Sequence, residues 1–322
     1  MLHDTPDWAV QYNYFHHSNP RSKDRAKNIF EKMHVRPKIN AAWEVIKDTH
    51  ATDEVKGLAR SVIRCLSDNR ANAAMKAGVA VQTACDLHLV PDEFDITLSL
   101  PEAILAGVDE YKGHKVKADT PNNKDIDSKK KEKYLEELPL VIEHAVMGLK
   151  EAMQTDNRIL GEIDLLDTLP GNALPHNTKP DYGRRGDLKT KWSGLTRGGT
   201  PEQDKWRKAP MPKSLTDMYN MNNVFQVAGF WALNGHQPPF LVYASKDDYR
   251  VFTPENTPEL RDDYLQDIVD QISMHHKTTE NILRAASDRE TLLGLVSPDF
   301  QKLCWNEPEL YLAEARRVWG IN

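Results

Sequence analysis

Cysteine is close to absent from this chain. Cys65, Cys85 and Cys304 are the three in 322 residues. They show neither CxxC pairing nor zinc spacing, so buried thiols of a reducing compartment are expected. Also missing is any apolar run near the length of a bilayer span. With a mean hydropathy of −0.63 and 28% charged residues, the chain reads as soluble, with no membrane partner. Met1-Leu2-His3-Asp4-Thr5-Pro6 lacks the basic-then-apolar order of a signal peptide, so a cytoplasmic location is expected. No zinc-protease helix, Walker loop or dinucleotide fingerprint occurs, and Gly198-Gly199 is a bare glycine pair. The net charge of −6 gives no overall attraction to nucleic acid. Binding of that kind has to come from clustered Lys and Arg.

What the chain does contain is a compact charged element at Thr178-Lys179-Pro180-Asp181-Tyr182-Gly183-Arg184-Arg185-Gly186-Asp187-Leu188-Lys189-Thr190-Lys191-Trp192. It reads as a tight β-hairpin. Side chains two apart on a strand share a face, so Asp187 and Lys189 point the same way. Gly-Arg-Arg-Gly supplies the turn, because glycine reaches positive φ without steric cost. With the turn symmetric about Arg184, Asp181 lies across from Asp187 on that same face. Two facing acids repel and lose solvation unless a cation sits between them. Magnesium suits such a pair, since it prefers hard oxygen and often takes only one or two carboxylates from protein. This outlines a metal-dependent phosphodiesterase, with Mn2+ as an alternative to Mg2+.

Pro180-Asp181 followed by Asp187-Leu188-Lys189 resembles the PD-(D/E)XK nuclease superfamily. The wording Lys-Pro-Asp and Asp-Leu-Lys-Thr looks most like the RecE/RecB-type exonucleases of phages and bacteria. The resemblance covers about Glu143 to Phe252. It implies an α/β fold: a restriction-endonuclease-like core with a central mixed sheet flanked by helices, plus helical N- and C-terminal additions. By it, Asp181 and Asp187 hold the metal, while Lys189 positions the attacking water and offsets transition-state charge. It further implies a bacterial or phage-infected cytoplasm and DNA recombination, repair or breakdown. A recombinase or single-strand-binding protein is an implied partner. A homo-oligomer stays open, as does an inactive, nuclease-fold binding or adaptor protein.

Arg158 to Leu166 alternates as a strand, with Glu162 and Asp164 on one face. The RecB-type pattern nominates Asp164 as the first metal ligand in place of Asp181, whereas the RecE-type pattern nominates Glu162 to accompany Asp181. The two patterns exclude each other, and Asp181 ranks above Asp164. Met221 to Leu233 reads as a helix. Gln226 and Phe230 share one of its faces, where RecB-type enzymes carry glutamine and tyrosine, so Gln226 joins the catalytic set. Ala77 to Leu89 is an apolar helix in which Gln82 stands at the place of the family's Gly-x-x-x-His histidine. Glutamine there can hydrogen-bond a phosphate but cannot carry a proton.

From Arg184 to Lys213 the chain clusters Arg184, Arg185, Lys189, Lys191, Arg197, Lys205, Arg207, Lys208 and Lys213 around Trp192 and Trp206. Cations for phosphates and rings for bases are what a single-strand channel uses. Arg184, Arg185, Lys191, Trp192, Arg197 and Gln82 are therefore the expected DNA contacts, and Ser193 to Thr200 a mobile loop over the substrate.

Residues 1–133 read as a mainly helical region, with helices at Lys23–Met33, Ile39–His50, Asp53–Leu66 and Ala71–Leu89. A lysine-rich exposed loop, broken by Pro-Asn-Asn, is expected over 111–133. Residues 134–322 read as the nuclease core and C-terminal helices, continuous with the first part as one domain. A helix from Tyr134 to Met153 opens it, followed by three strands, a helix and the strand pair 239–244 and 248–252. Leu260, Tyr264, Leu265, Ile268, Val269 and Ile272 give the last helices a 3.6-residue stripe.

Overall fold

A computed structural model of the chain describes residues 36–52, 55–56, 59, 72–91, 96–114, 121–154, 160–198, 200, 203–295 and 316–317. Two compact units divide the chain. One comprises 70–169 and 177–271; the other comprises 1–69, 170–176 and 272–322. The architecture is mixed α/β with small sheets. In order, the elements are α1 (Arg36–Lys47), α2 (Ala73–Leu89), α3 (Leu100–Gly113), α4 (Pro121–Met153), β1 (Leu165–Thr168), β2 (Pro175–Thr178) and β3 (Gly186–Thr190). They continue with β4 (Gly194–Thr196), β5 (Lys205–Arg207), α5 (Met218–Leu233), β6 (Phe240–Ala244), β7 (Tyr249–Phe252), α6 (Asp262–Ala285) and α7 (Arg289–Leu295).

Local chemistry fixes the starts of the helices in the larger unit. Asn72 caps α2 by accepting the Met75 amide at 3.0 Å. At α3, the Glu102 carboxylate reaches back to the Ser99 amide and hydroxyl at 3.0 and 2.6 Å, and Pro101 occupies the first turn, a capping arrangement that satisfies otherwise orphaned donors. Leu138, Val141, Ile142, Ala145 and Leu149 of α4 are buried, as their spacing requires. They pack with the small-residue face of α2 (Ala77, Ala80, Val81, Ala84) and with Val242 and Ala244 of β6 in one core.

The central sheet has the order β3-β6-β7. β6, Phe-Leu-Val-Tyr-Ala, is buried at every position, which suits a middle strand covered on both faces. β3 runs parallel to it, pairing Asp187 with Leu241 and Lys189 with Tyr243, and β7 runs antiparallel. A parallel pair needs a crossover, and α5 lies on the connection between β3 and β6.

In the other unit, Glu280 is buried and accepts the Ala173 and Leu174 amides at 2.7 and 3.0 Å. The His176 and His276 rings stand 5.3 Å apart.

Several expectations change. The lysine-rich stretch 111–133 is helical wherever it is described, apart from His114: Tyr111–Gly113 ends α3 and Pro121–Lys133 opens α4. Proline at the first helical position costs no hydrogen bond, and Lys129 reaches Asp204 at 2.7 Å. Helix α3 was not read from the sequence. The strand expected up to Leu166 forms only at Leu165–Thr168, while 160–164 carries no regular ladder. The loop expected over Ser193–Thr200 begins as β4, which pairs antiparallel with β5. The helix at Lys23–Met33, most of Asp53–Leu66, Arg158-Ile159, Cys65 and Cys304 lie outside the described residues. Cys85 is buried, and burial raises its thiol pKa.

Candidate active site

The site is set by the turn before β3. Gly183 and Arg184 have φ of 60° and 62°, and the Arg185 amide bonds the Tyr182 carbonyl at 3.1 Å. Two successive positive φ values make the tight turn whose twist matches paired strands. Tyr182 and Gly186 form an isolated antiparallel bridge. Asp181 is therefore opposite Asp187, in the register that symmetry about Arg184 requires. The hairpin goes no further: Asp181 is outside any strand, and the partner of β3 is β6. Gly186 has a separate role, since a Cβ there would lie 1.9 Å from the Phe240 ring.

On β3, Asp187 is 1% exposed. Its Oδ1 accepts from Gln226 Nε2 of α5 at 3.0 Å. Its Oδ2 lies 2.5 Å from Lys189 Nζ, and Lys189 Nζ in turn donates to Gln226 Oε1 at 3.0 Å. The amide thus bonds the acid through one end and the ammonium through the other. Asp181 Oδ2 accepts the Leu188 amide at 2.9 Å. Burial, then the neighbouring Asp187 charge, push the Asp181 carboxyl up to about 8. Two acids so placed hold a proton or a cation between them.

A divalent ion fits this donor set. The acids are hard oxygen ligands, and Asp187 Oδ2 has no partner among the described residues other than the Lys189 ion pair. No group of three or more His, Cys, Asp or Glu side chains gathers for a metal among the described residues, so the pair would be the protein's share of the ligands. Magnesium commonly takes that few.

A cavity of about 530 Å³ opens over these groups and is lined by Asp181, Asp187, Lys189, Gln226 and Gln82. Gln82 therefore reaches the site from α2. Glu162 and Asp164 do not line it. Glu162 pairs with Lys179, and this hydrogen bond raises the Lys179 pKa, with Asp164 and Asp181 adding to it. The structure thus brings Asp181, Asp187, Lys189, Gln226 and Gln82 together and leaves Glu162 and Asp164 beside them.

The expected DNA contacts divide. Arg184 is exposed at the turn. Arg185 donates to the Pro238 carbonyl at 3.2 Å and lies over the Phe240 ring at 5.8 Å. Lys191 is half-buried with its ammonium 5.1 Å from the Tyr243 ring centre, and burial lowers its pKa. Arg197 is exposed beyond β4. Trp192 is not a free stacking platform. It is 8% exposed, packs 5.0 Å from the Tyr134 ring and donates Nε1–H to Thr190 Oγ1 at 3.0 Å. Its remaining edge lines the cavity. Sequence reading missed Met75 and Val79 of α2, which also line the cavity; their i, i+4 spacing ahead of Gln82 was the available signal. No family model, curated protein or solved structure matches this chain.

Proposed function

We propose that the chain is a metal-dependent deoxyribonuclease of the PD-(D/E)XK type, acting as an exonuclease on phosphodiester bonds in DNA recombination, repair or degradation. The observation that carries this reading is the closed triangle of Asp187, Lys189 and Gln226, with Asp181 opposite Asp187. A cation beside two acids on one cavity wall serves phosphoryl transfer, in which a nucleophile is steered and negative charge grows on the phosphate. Asp181 and Asp187 would hold Mg2+ or Mn2+, and that ion supplies Lewis-acid polarisation of the phosphoryl group. Lys189, fixed by Gln226, faces the developing charge and orients the attacking water. Gln226 holds the acid and the ammonium in register without adding charge. Gln82 offers an amide to a phosphate oxygen.

End-labelled linear DNA and closed circular DNA, each incubated with Mg2+ or with EDTA beside the Lys189→Ala variant, test this reading. Metal-dependent loss of linear DNA alone, absent in Lys189→Ala, is the expected result. Cutting of the circle makes the protein an endonuclease with the same site. Binding without cleavage of either turns it into an inactive nuclease-fold binding protein. Asp181→Asn should abolish turnover, and Asp164→Asn and Glu162→Gln should retain it. The opposite ranking assigns the first ligand to the segment before β1.

A further inference from the structure

The cavity has two unlike walls. Asp181, Asp187, Lys189 and Gln226 form one. The other is a stripe of α2 in which Met75 and Val79 stand 61% and 46% exposed, four residues apart and therefore stacked on one helical face. Neighbouring apolar side chains on a concave surface that also carries charged groups offer a contact face to a ligand. The helix passes close to β3 at Gly78, where a Cβ would lie a tight 3.3 Å from Thr190 Oγ1. Trp192, pinned by Tyr134 and Thr190, closes the cavity with a rigid edge.

We propose that Met75 and Val79 form a shelf for one unstacked nucleobase, so that the site takes a nucleotide from a single strand or a frayed end, not an intact stacked duplex. This rests on the phosphodiesterase reading of the same cavity. A phosphate belongs at the acid and ammonium wall, and the base it carries needs an apolar surface within the same 530 Å³. That volume is within the range of small-molecule sites and accommodates a nucleotide, and a base can lay its face on an apolar shelf only once it has left the stack. Gln82, one turn beyond Val79 and on the same lining, adds an amide for a base edge or a phosphate oxygen. Extruded bases are held elsewhere by apolar side-chain contact together with a few polar groups at the base edge.

Single-stranded DNA pentamers carrying 2-aminopurine at either end report the environment of the base directly. In EDTA, the full-length protein should change the fluorescence of one end-labelled pentamer. Met75→Ser/Val79→Ser should remove that change and weaken binding about tenfold, as expected for loss of an apolar contact surface. In Mg2+, the wild type should cleave normal ends faster than ends whose terminal nucleotide is abasic. The double variant should cleave both at the abasic rate, which also shows that it is folded. Unchanged fluorescence with the wild type overturns the shelf, as does equal cleavage of normal and abasic ends. A fluorescence change lost in the variant, with no cleavage of any DNA in Mg2+, keeps the shelf and overturns the phosphodiesterase reading.

Discussion

Lys189 and Gln226 meet at 3.0 Å, and the same glutamine amide bonds Asp187 at 3.0 Å through its other end. Removing either side chain therefore affects the third. Asp187, at 1% exposure, is the member that tolerates this least. Lys189→Ala leaves it without its counter-charge, and loss of one partner from a buried pair costs about 3–5 kcal/mol. Lys189 is partly exposed, so the low end of that range is expected in urea unfolding. Asp187→Asn/Lys189→Ala should recover most of the loss. A double variant as unstable as the single one would show that the ion pair is not the cause.

Gln226→Ala separates positioning from binding. With its amide gone, Lys189 and Asp187 keep their charges but lose their common reference. The expected drop in kcat is about a hundredfold, the scale of losing one preorganised donor, with DNA affinity nearly unchanged. A parallel loss of affinity would make Gln226 a DNA contact.

Acidity supplies another test. The Asp181 carboxyl is pushed up to about 8 by burial and by Asp187, against an ordinary value near 3.9 in the unfolded chain. Between those two values the folded state binds more protons than the unfolded one, so this group makes stability fall as pH rises. Asp181→Asn still accepts the Leu188 amide and removes the titration. Its melting temperature should exceed that of the wild type at pH 8, and the gap should close toward pH 4. Mg2+ should raise the wild-type melting temperature at pH 8 and leave Asp181→Asn unmoved. A constant gap across that range would detach the effect from Asp181.

Much of this site was legible because it is local. The turn about Arg184 and the shared face of Asp187 and Lys189 follow from residues within seven positions of one another. Helix α5 and strands β6 and β7 followed from apolar runs bounded by turn residues. Long-range partners were not legible. Nothing near β3 announces that it pairs with Phe240–Ala244, or that the Trp192 ring rests on Tyr134. Helix α3 was readable in principle, since Ser99-Leu100-Pro101-Glu102 is a start signal. Lys129 read as part of a solvated loop because its partner, Asp204, is 75 residues away.

Gly186 gives a packing prediction. Its missing side chain makes room for the Phe240 ring, which a Cβ would meet at 1.9 Å. Gly186→Ala should cost at least about 1–3 kcal/mol, the usual penalty of overpacking. Gly186→Ala/Phe240→Leu should be more stable than Gly186→Ala, as read by a double-mutant cycle. Additive effects would mean that the strain is relieved elsewhere.

The β4–β5 hairpin predicts a salt effect. Lys205, Trp206 and Arg207 are all exposed, and Asp204 in its connecting loop is held by Lys129 and the Gly198 amide. Neutralising Arg197, Lys205 and Arg207 should lower the slope of log affinity against log salt by ~0.7 for each single-strand phosphate that these cations neutralise. An unchanged slope would place the phosphates on Arg184 and Lys191 instead.

Helix α4 holds the chain on both sides of β3. On one side, Glu137 and Tyr134 grip Ser193, through the Ser193 amide to Glu137 Oε2 at 3.3 Å and the Tyr134 hydroxyl to the Ser193 carbonyl at 3.1 Å. On the other side, Met153 fills the space over Gly183. A helix advances about 1.5 Å and turns about 100° per residue, so α4 acts as a calliper whose jaws are set by residue count. One residue inserted between Glu137 and Met153 would swing one jaw roughly a quarter turn away from its grip. Length between those two points is thus under tighter constraint than the identity of most side chains along it.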